Sequence, residues 1–298
     1  MIHKAFYSIF QQGSRTYFYS SLFFPNYLKK DVFTLYGFVR KADNFVDSIP
    51  QKINEFYRFK SKYYKALQGT SSGDIVIDTF VHLMKKHHID PQWVDAFLHS
   101  MEMDVYKKKY CTLEETLEYL YGSAEVIGLM MAQIMKLPQK THTYARYLGR
   151  AMQYINFIRD INEDRTLNRM YFPITDLQKY GLKNLDFEYT KRHAESYISF
   201  IREQILRYQT WQQYAEKGYQ FIPKRILIPV KTASEMYEWT AQQIYSNPYL
   251  VYQSKVKPMI LRILASILQN IVGSRKINYT LEGCLQSENN SRIQNCNL

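Results

Sequence analysis

The sequence predicts an all-α fold, and three observations carry that reading. Apolar residues recur at helical spacing along most of the chain, as in Val32, Leu35, Tyr36, Val39 and Ala42. Glycine (11) and proline (9) are scarce among 298 residues, which argues against turn-rich sandwiches and barrels and against Gly-rich nucleotide-binding folds. No series of alternating apolar and polar residues marks out a set of strands.

In chain order, the spacing predicts a helix through Val32–Asp43. Further helices are expected over Trp93–Val105, Leu113–Met135, Tyr144–Ile161, Tyr189–Tyr214, Lys231–Tyr245 and Lys257–Val272, for roughly eight to ten in all. Breakers separate these runs: Pro25, Pro50, Gly69 to Gly73, Pro91, Pro138, Pro173, Gly181, Gly218, Pro223 and Pro248. Asp90-Pro91 reads as a helix start, and Thr112 with Glu115 three residues on reads as a capping box. No shift in composition divides the chain. One domain is expected over residues 1–273, followed by a polar, disordered tail over 274–298.

Lysine and arginine outnumber aspartate and glutamate by 39 to 27, a net charge of +12. That balance suits an anionic partner: nucleic acid, an acidic membrane surface or a phosphorylated substrate. Three cysteines give no disulfide framework, so reduced thiols and a cytoplasmic setting are expected. Met1 to Phe10 is too short for a signal peptide. Met259 to Val272 falls short of the ~20 apolar residues that span a bilayer. The expected protein is soluble or peripheral. Aromatics reach 16%, with 27 Tyr and 17 Phe, more ring surface than a core alone requires.

Three pairs of aspartates lie four residues apart and so share a helix face: Asp43/Asp47, Asp74/Asp78 and Asp160/Asp164. Like charges at that spacing repel unless a cation joins them, and Mg²⁺ is the hard, oxygen-seeking ion that fits. Asp74 follows a Gly/Ser-rich turn and reads as a helix cap, which leaves that pair structural. The other two pairs sit beside arginines: Arg40 before Asp43; Arg159 before Asp160, with Arg165 and Arg169 after. Carboxylates for metal beside guanidinium groups for phosphate oxygens make a diphosphate site. Gln153, Asn156, Asp160 and Asp164 form one polar stripe on an otherwise apolar helix. The stripe holds only amides and acids, so it is expected to face an internal cavity rather than water.

These residues carry a resemblance. The runs Arg40–Asp47, Tyr119–Gly128 and Gln153–Asp164, then Arg169-Met170-Tyr171-Phe172-Pro173, resemble the squalene/phytoene synthase family in order and separation over roughly residues 10–260. The resemblance implies an all-α isoprenoid synthase fold whose two acidic motifs face each other across the mouth of an apolar cavity. It implies head-to-head joining of two prenyl diphosphates through a cyclopropyl diphosphate. Mg²⁺ or Mn²⁺ would be held by Asp43, Asp47, Asn156, Asp160 and Asp164. Arg40, Arg159 and Arg169 would hold phosphate oxygens, Gln153 would complete the polar lining, and Tyr119 and Tyr237 would lie near the reacting carbons. Ser14 and Thr16 match the diphosphate-contacting flap, although Gly13 stands where some relatives carry histidine.

Ser21 is small where relatives that use C15 chains can place a bulky aromatic. This points to geranylgeranyl diphosphate as substrate and phytoene as product. The alternatives are a C15-using squalene or dehydrosqualene synthase, with NADPH required only if squalene is made, and a non-catalytic assembly factor. A nucleic-acid partner is not expected, because the arginines cluster beside carboxylates that repel a phosphate backbone. Peripheral membrane contact fits greasy substrates.

Overall fold

The computed structural model describes residues 3–273. The tail expected over 274–298 lies outside the described residues. Sixteen α-helical segments account for most of the described chain, and nine of them run ten residues or longer, among them Asn26–Asp47, Pro91–Tyr106, His142–Arg159, Ala194–Glu216 and Lys224–Ser246. The all-α expectation holds.

Local chemistry explains the boundaries. Asp90 caps the Pro91–Tyr106 helix by accepting from the Gln92 amide, and Pro91 occupies the first turn, where its missing N–H costs nothing. Thr112 caps Leu113–Leu120 by accepting from the Glu115 amide at 3.4 Å. The return bond of the expected capping box is displaced: Glu115 Oε2 accepts from the Cys111 amide at 3.1 Å and pairs with Lys107. Asp74 accepts from the Val76 amide as the cap of Ile75–His87, and Asp78 in its first turn accepts from Ser71 and Ser72. This third aspartate pair is structural, as expected.

Three expectations about elements are corrected. The run Leu113–Met135 is not one α-helix: a π-helical turn over Tyr121–Glu125 interrupts it. Such turns insert a residue and re-aim side chains. Here the turn meets the His142–Arg159 helix so closely that a Cβ at Gly149 would fall 2.3 Å from the Ala124 carbonyl oxygen. Tyr189–Tyr214 breaks at His193 into Phe187–Arg192 and Ala194–Glu216. Two short strands also form, Lys109–Tyr110 paired in parallel with Met170–Pro173. Neither is long enough to show a period in sequence.

The packed interior forms two large clusters. One is built by the N-terminal helices around Phe33, Phe38, Phe80 and Phe97. The other gathers Tyr154, Ile158, Phe200, Ile205 and Tyr208 from the later helices. Tyr17 packs against both. A cavity of about 660 Å³ is lined by members of each cluster, from Phe10, Leu35 and Phe97 to Met152, Ala233 and Tyr237.

Candidate active site

The fourteen residues given site roles from sequence line this one cavity: Ser14, Thr16, Ser21, Arg40, Asp43, Asp47, Tyr119, Gln153, Asn156, Arg159, Asp160, Asp164, Arg169 and Tyr237. Arg165, the other arginine noted beside the second acidic pair, is not among the lining residues and pairs with Asp186 instead. The helix Asn26–Asp47 brings Tyr36, Arg40, Asp43 and Asp47 to the wall on one face, at steps of four, three and four. The helix His142–Arg159 brings Met152, Gln153, Asn156 and Arg159. It ends at Arg159 rather than running through Ile161, and the short helix Ile161–Thr166 supplies Asp164, so the polar stripe expected on one helix is divided by a break at Asp160.

The two acidic edges converge. Arg169 bridges them: its Nη1 donates to Asp47 Oδ1 at 2.7 Å, and its own backbone amide donates to the Asp164 carbonyl at 2.9 Å. Asp43 is pushed up to about 7 by burial and by Asp47, against the pull of Arg40. Asp164 is raised well above the usual carboxylate range by burial, Asp160 and Asp47. Burial also pushes Asp160 upward, but Arg159 and Lys255 outweigh it and hold that carboxyl below its ordinary value. Arg159 grips Asp160 bidentately at 2.7 and 2.6 Å, and Lys255 reaches it at 3.2 Å.

These donors fit a magnesium ion. Asn156 Oδ1 is buried without a hydrogen-bond partner while its amide nitrogen donates to Gln153 at 3.3 Å. Arg40 pairs with Asp43, yet at both Asp43 and Asp164 burial and neighbouring carboxylates disfavour the charged form, a cost that a divalent ion would offset. Among the described residues no three acidic, histidine or cysteine side chains close into a ready cage. Magnesium takes one or two carboxylates plus water and substrate phosphates, so an open rim of oxygen donors is the appropriate form.

Several site residues were absent from the sequence reading. Asp104, on the Pro91–Tyr106 helix, is 2% exposed and lines the cavity. Its Oδ2 accepts from the Tyr119 hydroxyl at 2.7 Å and its Oδ1 from the Tyr171 hydroxyl at 2.8 Å. Burial raises it to about 6, against Arg169 and those two hydroxyls. The rings of Tyr119 and Tyr171 lie 4.9 Å apart, and Tyr171 stacks on Phe157 at 4.3 Å. Tyr17 packs on Tyr237 at 5.5 Å and donates to Met152 Sδ at 3.3 Å. Arg169, expected among the phosphate contacts, is committed inward: Nη2 donates to the carbonyls of Val46 (2.7 Å) and Asp104 (3.2 Å). Ser14 is engaged as a helix cap, accepting from the Tyr17 amide at 3.3 Å. The Gly13 departure has a steric reason: a Cβ there would lie 2.3 Å from the Tyr36 hydroxyl.

A rim of acids and guanidinium groups over an apolar chamber, with this order of residues, can be compared with known proteins. The sequence pattern of squalene/phytoene synthases matches residues 10–262. The chain belongs to the squalene/phytoene synthase family. It is a prenyltransferase of isoprenoid biosynthesis. Within the family it is 28% identical over 278 residues to the 15-cis-phytoene synthase of Enterobacter agglomerans, covering 88% of this chain and 94% of the other. It is also 28% identical over 237 residues to the 15-cis-phytoene synthase of Pantoea ananas, with 76% of each chain covered. A crystal structure of a dehydrosqualene synthase superposes with a TM-score of 0.80 at 19% identity, covering 90% of this chain and 96% of that one, which shows the shared fold. No helix among the described residues is long and apolar enough to cross a membrane.

Proposed function

We propose that this squalene/phytoene synthase family member condenses two geranylgeranyl diphosphates head to head to phytoene, through a cyclopropyl diphosphate. The observation that carries the reading is the single cavity whose rim holds Asp43, Asp47, Asp160 and Asp164 and whose body is apolar and aromatic. Bound Mg²⁺ or Mn²⁺, held by those carboxylates and Asn156, would supply Lewis-acid stabilisation of the departing diphosphate. Arg40 and Arg159 stand at the same rim to take phosphate oxygens.

The protein's own groups do the rest. Ser14 and Thr16 border the diphosphate end. Val32, Leu35, Val39, Met131 and Met135 line the space for prenyl chains and exclude water from the allylic cation. The faces of Tyr119, Tyr17 and Tyr237 stabilise positive charge by their quadrupoles. Burial and Asp104 keep the Tyr119 phenol protonated, so it stays a neutral donor aimed at Asp104. Ser21 is buried at the wall, and its small side chain leaves length for a C20 chain. The apolar chains make membrane contact part of this reading.

Incubation with C15 and with C20 diphosphates, with and without NADPH, tests it through the hydrocarbon formed. The C40 hydrocarbon from the C20 substrate, without need of reductant, is expected. Strict C15 use would assign a squalene- or dehydrosqualene-type reaction instead.

A further inference from the structure

The helix Ile260–Val272 has its polarity turned around. Its inward face carries Ile263, Ser266, Ile267 and Asn270, at steps of three, one and three. Ile263 and Ile267 pack on Met236, Tyr19 and Ile228. Ser266 Oγ donates to Glu235 Oε2 at 2.5 Å, and Asn270 Nδ2 donates to the same oxygen at 2.9 Å and to Thr232 Oγ1 at 3.2 Å. The polar side chains are thus spent inward. Facing outward are Leu261 (76% exposed), Leu264, Leu268 (62%) and Val272 (73%), at steps of three, four and four, with Met259 and Ile271 beside them.

This concentration is not the ordinary scatter of surface apolar residues. Eighteen large apolar side chains are exposed among the described residues, and six of them fall between 259 and 272. Single exposed residues need no explanation, but a contiguous row marks an interaction surface.

Charge identifies the partner. No acidic residue occurs from 256 to 273. Exposed Lys257 precedes the row, and Arg262 lies beside it with its guanidinium over the Trp239 ring at 5.1 Å. The Lys224 ammonium lies 3.6 Å from the position of a Cβ on Gly273, at the far end. An apolar face flanked at both ends by cations, on a chain of net charge +12, matches the surface of an anionic bilayer. Its position suits that use. The helix packs on Arg15–Ser21 and Lys224–Ser246, both of which line the cavity, and Lys257, two residues before Met259, lines it too.

We propose that Ile260–Val272 is a membrane-docking helix that seats this protein on an anionic phospholipid surface through Leu261, Leu264 and Leu268. Docking stands on this surface alone; only its use in loading prenyl chains rests on the proposed function.

Flotation of the full chain with vesicles tests the docking without any need for activity. The wild type should float with phosphatidylglycerol-containing vesicles more than with pure phosphatidylcholine, and less at high salt. The exposed triple variant L261Q/L264Q/L268Q should bind about 100-fold more weakly with unchanged thermal unfolding. K224Q/R262Q should lose about 10-fold on anionic vesicles and little on neutral ones. Absence of flotation, or flotation unchanged in the triple variant, overturns the proposal. A concentration-dependent dimer that the triple variant dissolves would reassign the face to a second copy of the chain and overturn it equally.

Discussion

Arg169 and Asp47, 122 residues apart in the chain, form an ion pair of 2.7 Å whose guanidinium is 2% exposed. The same guanidinium bonds the carbonyls of Val46 and Asp104, so one side chain fastens the first acidic helix end to the strand that follows the second acidic motif.

Replacing Arg169 by methionine should strand Asp47 and two buried carbonyls. Asp47 is 37% exposed and so screened by water; the loss comes chiefly from the two buried carbonyls left without a donor, at about 1–3 kcal/mol each. Urea unfolding should show that loss. Arg169→Lys should recover only part of it, because an ammonium cannot span the fork of acceptors. Equal stability of the methionine variant and the wild type would contradict the clamp.

Asp104 and Tyr119 should be energetically coupled. A hydrogen bond to a charged group contributes about 1.5–3 kcal/mol. Asp104→Asn and Tyr119→Phe should each destabilise, and the double variant should fall short of the sum by about 0.5–3 kcal/mol. Strict additivity in the double-mutant cycle would separate the two residues.

Asp43 predicts a pH dependence. Its carboxyl is raised to about 7 in the fold, by burial first and then by Asp47. Below the ordinary carboxylate range, near 4, both folded and unfolded chains hold the proton; between there and about 7 only the folded chain does. Its contribution is therefore fully present at low pH and disappears as pH rises through about 7. Without divalent ions, the stability of wild type relative to Asp43→Asn should decline across that window. Adding Mg²⁺ above pH 7 should raise the melting temperature of the wild type more than that of the variant. A flat difference would remove Asp43 from the charged cluster.

Ser21→Phe should shorten the chamber. A ring at this buried wall position should raise KM for the C20 diphosphate at least about 10-fold relative to the C15 diphosphate. An unchanged preference would place the length determinant elsewhere.

Sequence pattern reached far into this site because its motifs are local. Asp43 and Asp47 share a helix face by spacing alone, and the stripe from Gln153 to Asp164 stood out by having amides and acids on an apolar helix. Asp104 gave no such signal: it is a lone aspartate, and its meaning comes from two tyrosines 15 and 67 residues away. The parallel pair Lys109–Tyr110 and Met170–Pro173 was equally silent, since pairing between distant short segments leaves no period. The inward commitment of Arg169 also depends on that pairing. The turn Tyr121–Glu125 reads as plain helix by composition, and the close approach of Gly149 to Ala124, with Glu125 clamped between Arg146 and Arg150, accompanies its different geometry.

The convergence of both acidic edges over one apolar chamber is tested most directly by measuring diphosphate released against hydrocarbon formed from geranylgeranyl diphosphate. The expected result is two diphosphates released for each C40 hydrocarbon, with both signals abolished by EDTA and restored by Mg²⁺. No metal-dependent release from a prenyl diphosphate of any length would contradict it.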